Sequence, residues 1–275
     1  MDVVLLGTGS PIPHPERAGP ATLVKAGGAN LLIDAGRGVI MRLMGAATPP
    51  PALSAILLTH MHSDHICDLN DVITTHWIMT PAPMPLKIYG PKGVAALVEA
   101  TLAMLAFDVR YRMDHHDDLN APPQVQAIEL EPGDAFTVGG CAITAHRTDH
   151  SPVHPTLGYR IEAGAASVAV AGDTIPCPEL DALCAGADVY VQTVIRRDLV
   201  ERVPSQRFQD ILDYHSTVEQ AGQTAARAGV KTLLLTHYVP PIVPGQEEDW
   251  RALAAAHFAG AVVLGPDLTR VSVAE

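Results

Sequence analysis

Apolar runs of strand length recur along the chain, separated by stretches in which apolar positions return every three or four residues. Runs without polar alternation belong to strands buried on both faces, and the helical stretches between them cover a sheet. The pattern predicts strands over 2–6, 21–25, 30–34, 55–58, 86–89, 141–146, 156–162, 167–171, 188–194, 231–235 and 260–264. Helices are predicted to begin near Leu69, Gly93, Pro178, Thr217 and Glu247. The one over 217–228 has the fullest signature, with Ser216 or Thr217 as cap, Glu219 in the first turn and Gly229 as stop. Strands alternating with helices in this way predict a layered α/β fold.

Two stretches depart from the pattern. Residues 108–124 (DVRYRMDHHDDLNAPPQ) are polar, rich in histidine and end in paired prolines, which reads as a surface loop or lid. Residues 196–214 mix charges with apolar positions at helical spacing, which reads as a short helical insertion. Neither has the composition of a linker, so the expectation is one domain over 1–275 carrying these two segments.

Composition narrows the class. The chain is 48% hydrophobic but only 4% aromatic, so its core must be built from Ala, Val, Leu and Ile. A net charge of -12 repels a phosphate backbone on average and weighs against long polyanionic partners. Cys67, Cys141, Cys177 and Cys184 form no CxxC pair and read as small buried hydrophobes of a reducing compartment. No basic n-region opens the chain, and no apolar run approaches membrane-spanning length. A cytoplasmic protein without a membrane partner is expected.

The chemistry collects at strand ends. Strand 55–58 runs into Thr59-His60-Met61-His62-Ser63-Asp64-His65, and strand 141–146 into Arg147-Thr148-Asp149-His150. Strand 167–171 runs into Gly172-Asp173-Thr174, and strand 231–235 into Thr236-His237. Carboxyl ends of strands in layered α/β folds are where a rigid sheet presents functional groups. Imidazole and carboxylate are ligands of a borderline cation such as zinc. His60, His62, Asp64, His65, His150, Asp173 and His237 are enough for two ions sharing one hydroxide, the arrangement of many hydrolases. His146 competes with His150, since alternation places both on one strand face. GTGS at residues 7–10 lacks the length and lysine of a phosphate loop and reads as a tight turn beside the site.

The succession HxHxDH, lone His, GDT and LTH resembles the metallo-β-lactamase superfamily. The words LLGTGSPIPHPERAGPAT, DHSPVHPTLGYRI, AGDTIPC, HSTVEQAGQTAARAGV and LLTHYVP look like its ribonuclease Z/arylsulfatase-like branch. The resemblance implies an αββα four-layer sandwich with a dinuclear site at its edge. It assigns His60, His62 and His150 to one Zn2+ and Asp64, His65 and His237 to the other, with Asp173 bridging and Mn2+ or Fe2+ as substitutes. It makes His215 the proton donor or oxyanion partner of the leaving group, and Asp64 is expected to orient the hydroxide. Two departures stand out. GYRIEAGAASVAVAGDT leaves no room for the tRNA-gripping arm, and QTVI at 192–195 puts Thr193 where the family has the acid of HEAT. The expectation is therefore a zinc phosphodiesterase acting on a small ester in place of tRNA, with a homodimer compatible with the branch. Carboxyl-ester, lactone and aryl sulfate hydrolysis are the alternatives within the fold. An iron oxidoreductase or a metal-binding scaffold is the distant one.

Overall fold

In the computed structural model, which describes residues 1–275, six strands come first: β1 (Asp2–Gly7), β2 (Ala21–Ala26), β3 (Ala29–Ile33), β4 (Ala55–Leu57), β5 (Leu86–Pro91) and β6 (Val125–Leu130). Eight follow: β7 (Ala135–Val138), β8 (Cys141–Arg147), β9 (Leu157–Ala163), β10 (Ala166–Val170), β11 (Val189–Ile195), β12 (Thr232–Val239), β13 (Ala261–Val263) and β14 (Arg270–Ser272). They form two seven-stranded sheets, ordered β14-β1-β2-β3-β4-β5-β6 and β13-β12-β11-β10-β9-β8-β7.

Alternation along each strand explains why the sheets stack. Val3 and Leu5 of β1 and Leu31 and Ile33 of β3 enter a core that also holds Val168 and Val170 of β10 and Val189 and Val191 of β11. Their neighbours Val4, Leu6 and Leu32 face the opposite way, into a core under α1 (Val39–Gly45), α3 (Leu69–Met79) and α4 (Val94–His115). On the far side, Ala169 and Tyr190 meet α5 (Pro178–Cys184), α8 (Val218–Ala228) and α9 (Glu247–Ala255). Both faces of each sheet are buried, which is why the strands read as unbroken apolar runs. The result is the expected αββα sandwich.

The cap of α8 forms as its sequence predicts. Thr217 accepts from the Gln220 backbone, the Gln220 side chain answers on the Thr217 N–H, and Gly229 ends the helix at φ 66°. Three strands, β6, β7 and β14, and the helices α1 and α2 (Ser63–Ile66) were not predicted; β6 and β7 are largely exposed or half-buried and show no unbroken apolar run. Residues 108–124 are corrected: α4 continues as far as His115, with an Asp108–Arg112 pair at 2.8 Å one turn apart. Only Val94 and Val98 of this helix are buried, so its exposed half carries no apolar periodicity to betray it. Residues 196–214 do form short helical pieces, α6 (Arg197–Val200), α7 (Gln206–Gln209) and a 3-10 turn over Asp210–Asp213. All four cysteines are free; Cys141 and Cys184 are buried, but Cys67 is exposed and does not belong to the core. No helix is long and apolar enough to cross a membrane.

Candidate metal centre

The parallel strands of both sheets end at one edge. Beyond β4, Thr59 and His60 are buried, and the chain turns at His62, which stands in extended conformation at the start of α2. This single helical turn lifts Asp64 and His65 inward. Beyond β8 comes His150, and beyond β10 come Gly172 and Asp173. Gly172 is required there: its φ is 67°, and a Cβ would lie 2.8 Å from that of Thr59. His237 does not follow β12 but lies within it, at φ 53°. Between the pairs Thr193↔Thr236 and Ile195↔Val239 the register slips by one residue, so His237 rides on a bulge that re-aims its ring.

All seven strand-end residues converge. Ligand atoms of His60, His62, His150 and Asp173 lie within 4.8 Å of one another, as do those of Asp64, His65 and His237. Asp173 Oδ2 is at the centre, 3.9 Å from His60 Nε2, 3.4 Å from His65 Nε2, 3.8 Å from His150 Nε2 and 3.7 Å from His237 Nε2. His215 joins them, its Nε2 3.3 Å from the same oxygen. His146 stays on β8, half-buried and outside the cluster, and His115 and His116 meet edge to face at the exposed end of α4.

Outer hydrogen bonds fix which nitrogens face inward. His150 Nδ1 donates to the Tyr214 carbonyl at 2.8 Å. Thr59 Oγ1 donates to Asp34 at 2.8 Å and so accepts from His60 Nδ1 at 3.0 Å. His60 and His150 therefore present Nε2 lone pairs, and His62 Nδ1 lies 3.1 Å from one and 3.2 Å from the other. Three nitrogens thus converge with at most one proton among them, a geometry that a cation satisfies and protons do not. His65 Nε2, Asp173 Oδ1 and His237 Nδ1 are buried without hydrogen-bond partners, a further sign that the cluster is incomplete as protein alone. The donor set fits one or two divalent cations.

Electrostatics divides the cluster. Burial pushes His60 well below its ordinary value, lowers His62, and brings His150 down to about 4, leaving these rings neutral. Burial also opposes charge on His65 and His237, but Asp173, aided by Asp34 at His65 and by Asp64 at His237, raises both. Burial likewise opposes the Asp173 charge, and the His237 and His65 rings overcome it and hold the carboxyl well below its usual range. Asp64 is lowered against burial by its bond from His237.

Asp34 was not predicted as a site residue. It sits directly after β3 at φ 62°, takes the Thr59 N–H at 2.8 Å on Oδ1, and takes His65 Nδ1 at 2.8 Å on Oδ2. An aspartate at the end of an apolar strand, as in LLIDAG, was the available signal. Asp34→Ala is expected to lower kcat about 10- to 100-fold and weaken metal retention in a chelator competition. Unchanged values on both counts would reduce Asp34 to a fold element.

Beside the cluster lies a cavity of about 460 Å3, with Ser10, Pro11 and Ile12 on one wall and Ser205, Arg207, Phe208, Ile211 and Tyr214 on another. The segment 196–214 thus contributes lining, whereas residues 108–124 contribute none. His215 Nδ1 donates to the Ile211 carbonyl at 2.9 Å, so a backbone oxygen, not an acidic side chain, supports this ring. Thr193 Oγ1 turns instead to the Gly172 carbonyl at 3.1 Å.

Comparison with known proteins places this geometry. Residues 29–238 match the model of the Beta-lactamase superfamily domain. The chain is 58% identical to Ribonuclease Z of Mycolicibacterium paratuberculosis and 57% identical to Ribonuclease Z of Mycobacterium avium. Each alignment runs over 275 residues, covering 99% of this chain and 98% of the relative. Among solved structures, the metallo-beta-lactamase fold protein YhfI from Bacillus subtilis superposes with a TM-score of 0.75 at 23% identity, covering 98% of both chains. Human tRNase Z, short form, superposes with a TM-score of 0.71 at 22% identity over the full length of both.

Proposed function

The chain belongs to the ribonuclease Z family of the β-lactamase superfamily, and from that premise we propose that it is a zinc-dependent phosphodiesterase cutting RNA. The observation that carries the reading is the end-to-end match to relatives named Ribonuclease Z. The converging His and Asp side chains support it. The small ester expected from the missing arm gives way to RNA, because those relatives align over the whole chain and have no arm-length insertion of their own. The charge of -12 is no obstacle at the site itself, where Arg207 lines the cavity without a carboxylate partner. A reducing, cytoplasmic setting fits four free cysteines.

His60, His62 and His150 would hold one ion and Asp64, His65 and His237 the other, with Asp173 between them. When bound, divalent cations supply a water acidic enough to attack at neutral pH and positive charge opposite the developing oxyanion. Asp64, anchored by His237 at 3.2 Å, is the carboxylate that orients the attacking water and takes its proton. His215 is held by the Ile211 carbonyl through Nδ1, so Nε2 is the atom that carries a proton toward the leaving oxygen. Asp173, 3.3 Å away, stabilises the protonated ring.

His215→Ala is expected to lower kcat about a hundredfold with metal content unchanged. Loss of metal in that variant would reassign His215 as a ligand. The test of the function itself offers the zinc-loaded protein a precursor tRNA with a 3′ trailer beside an aryl phosphodiester, an aryl sulfate and a lactone. Cleavage of the RNA is expected; turnover of the lactone or sulfate with RNA untouched would overturn the reading.

A further inference from the structure

We propose that Ser10 contacts the substrate, its hydroxyl donating a hydrogen bond to a non-bridging phosphoryl oxygen; this rests on the phosphodiester reading above. Ser10 lines the cavity beside the metal cluster, is only 2% exposed, and its Oγ has no hydrogen-bond partner. A buried hydroxyl left unpaired destabilises a fold, and most such groups shift until they find a partner.

Here the backbone preceding the serine is held on several sides. Gly7 packs so closely on the opposing strand of the loop that a Cβ would lie 1.7 Å from the Gly19 oxygen. Gly9 N–H donates to the Ala18 carbonyl at 2.8 Å, which locks the residue next to Ser10. Asp267, from the far end of the chain, clamps both sides of the loop: Oδ1 takes the Thr8 N–H at 3.0 Å and Oδ2 takes the Ala18 N–H at 2.7 Å. The GTGS turn thus gains its rigidity from close backbone approach and keeps Ser10, with its unpaired hydroxyl, in the lining of the cavity.

A serine used only for packing would be better replaced by alanine, which keeps the backbone and removes the unpaired group. The hydroxyl has a use once an acceptor fills the cavity. Arg207, the only lysine or arginine among the lining residues, forms no ion pair and completes an environment suited to an anionic oxygen. A phosphoryl group reaching the metal cluster offers such oxygens on either side of the reacting phosphorus.

The test compares zinc-loaded wild type, S10A and S10T by thermal melting and by calorimetric titration with inorganic phosphate. S10A is expected to melt about 2 °C higher, because the unpaired hydroxyl is gone. It is also expected to bind phosphate about tenfold more weakly, and S10T, which keeps the hydroxyl, to bind like wild type. Equal phosphate affinity in S10A and wild type overturns the proposal whatever the melting temperatures. A wild type that binds phosphate through Ser10 yet leaves RNA uncut overturns the RNA reading and leaves this one standing.

Discussion

Replacing Asp173 by Asn is expected to lower RNA cleavage about a thousandfold or more, with the chain still folded. One oxygen of this carboxylate lies 3.3 to 3.9 Å from Nε2 of His60, His65, His150, His215 and His237. Asparagine keeps the shape but brings no charge, so every inward nitrogen loses the negative centre around which it is arranged. Breaking a buried charge pair by removing one partner costs about 3–5 kcal/mol, and each 1.4 kcal/mol lost from the transition state is about tenfold in rate. Because Asp173 is the group between the two halves of the cluster, metal content should fall together with the rate. Elemental analysis and single-turnover kinetics on the same preparation decide it. An Asn variant that retains its metal and its rate would show that the two halves act independently of Asp173.

The layout of this centre was legible because most of its candidate ligands come just beyond an apolar strand that could be read without structural help. His60, Asp173 and their neighbours come at the end of β4 and β10, where the run stops and polar residues begin. The supporting shell was less legible. Asp34 was absorbed into the predicted strand 30–34, although the strand ends at Ile33 and the aspartate turns into left-handed conformation to reach His65. His237 was placed just after a strand that in fact continues to Val239; a one-residue bulge has no signature in hydrophobic pattern. The support of His215 comes from a backbone carbonyl, which no residue type reveals. The reading of 108–124 as a loop failed for a different reason. The C-terminal half of α4 packs on little, and a helix without a buried face shows no period. The small substrate was inferred from a missing insertion, and relatives of the same length show that this absence is ordinary within the family.

Removing the metal should cost stability, and the cost should grow with pH. Without cations, the cluster is held by internal charge pairs in which His65 and His237 are raised above 6.5 and Asp64 and Asp173 are lowered below 3.8. A histidine raised in the folded state contributes stability that is complete below its unfolded value and is lost as pH climbs through the raised one. A lowered aspartate contributes above its unfolded value and loses that contribution only as pH falls through the depressed one. The metal-free chain is therefore best stabilised under mildly acidic conditions. As pH climbs through the raised values of His65 and His237 it sheds the imidazolium charges and leaves the Asp64 and Asp173 carboxylates unopposed. The loaded protein moves the other way, since its ligands must be deprotonated and tighter binding follows rising pH. At about a thousandfold excess over Kd, each ion contributes about 4 kcal/mol to the folded state. For a chain of this size that corresponds to roughly 10 °C in Tm per ion. Melting with chelator and with added zinc between pH 6 and pH 8.5 should show a gap that widens steadily. A gap that stays constant or narrows would mean that His65 and His237 are not charged in the metal-free state, and that the cluster is held together by packing alone.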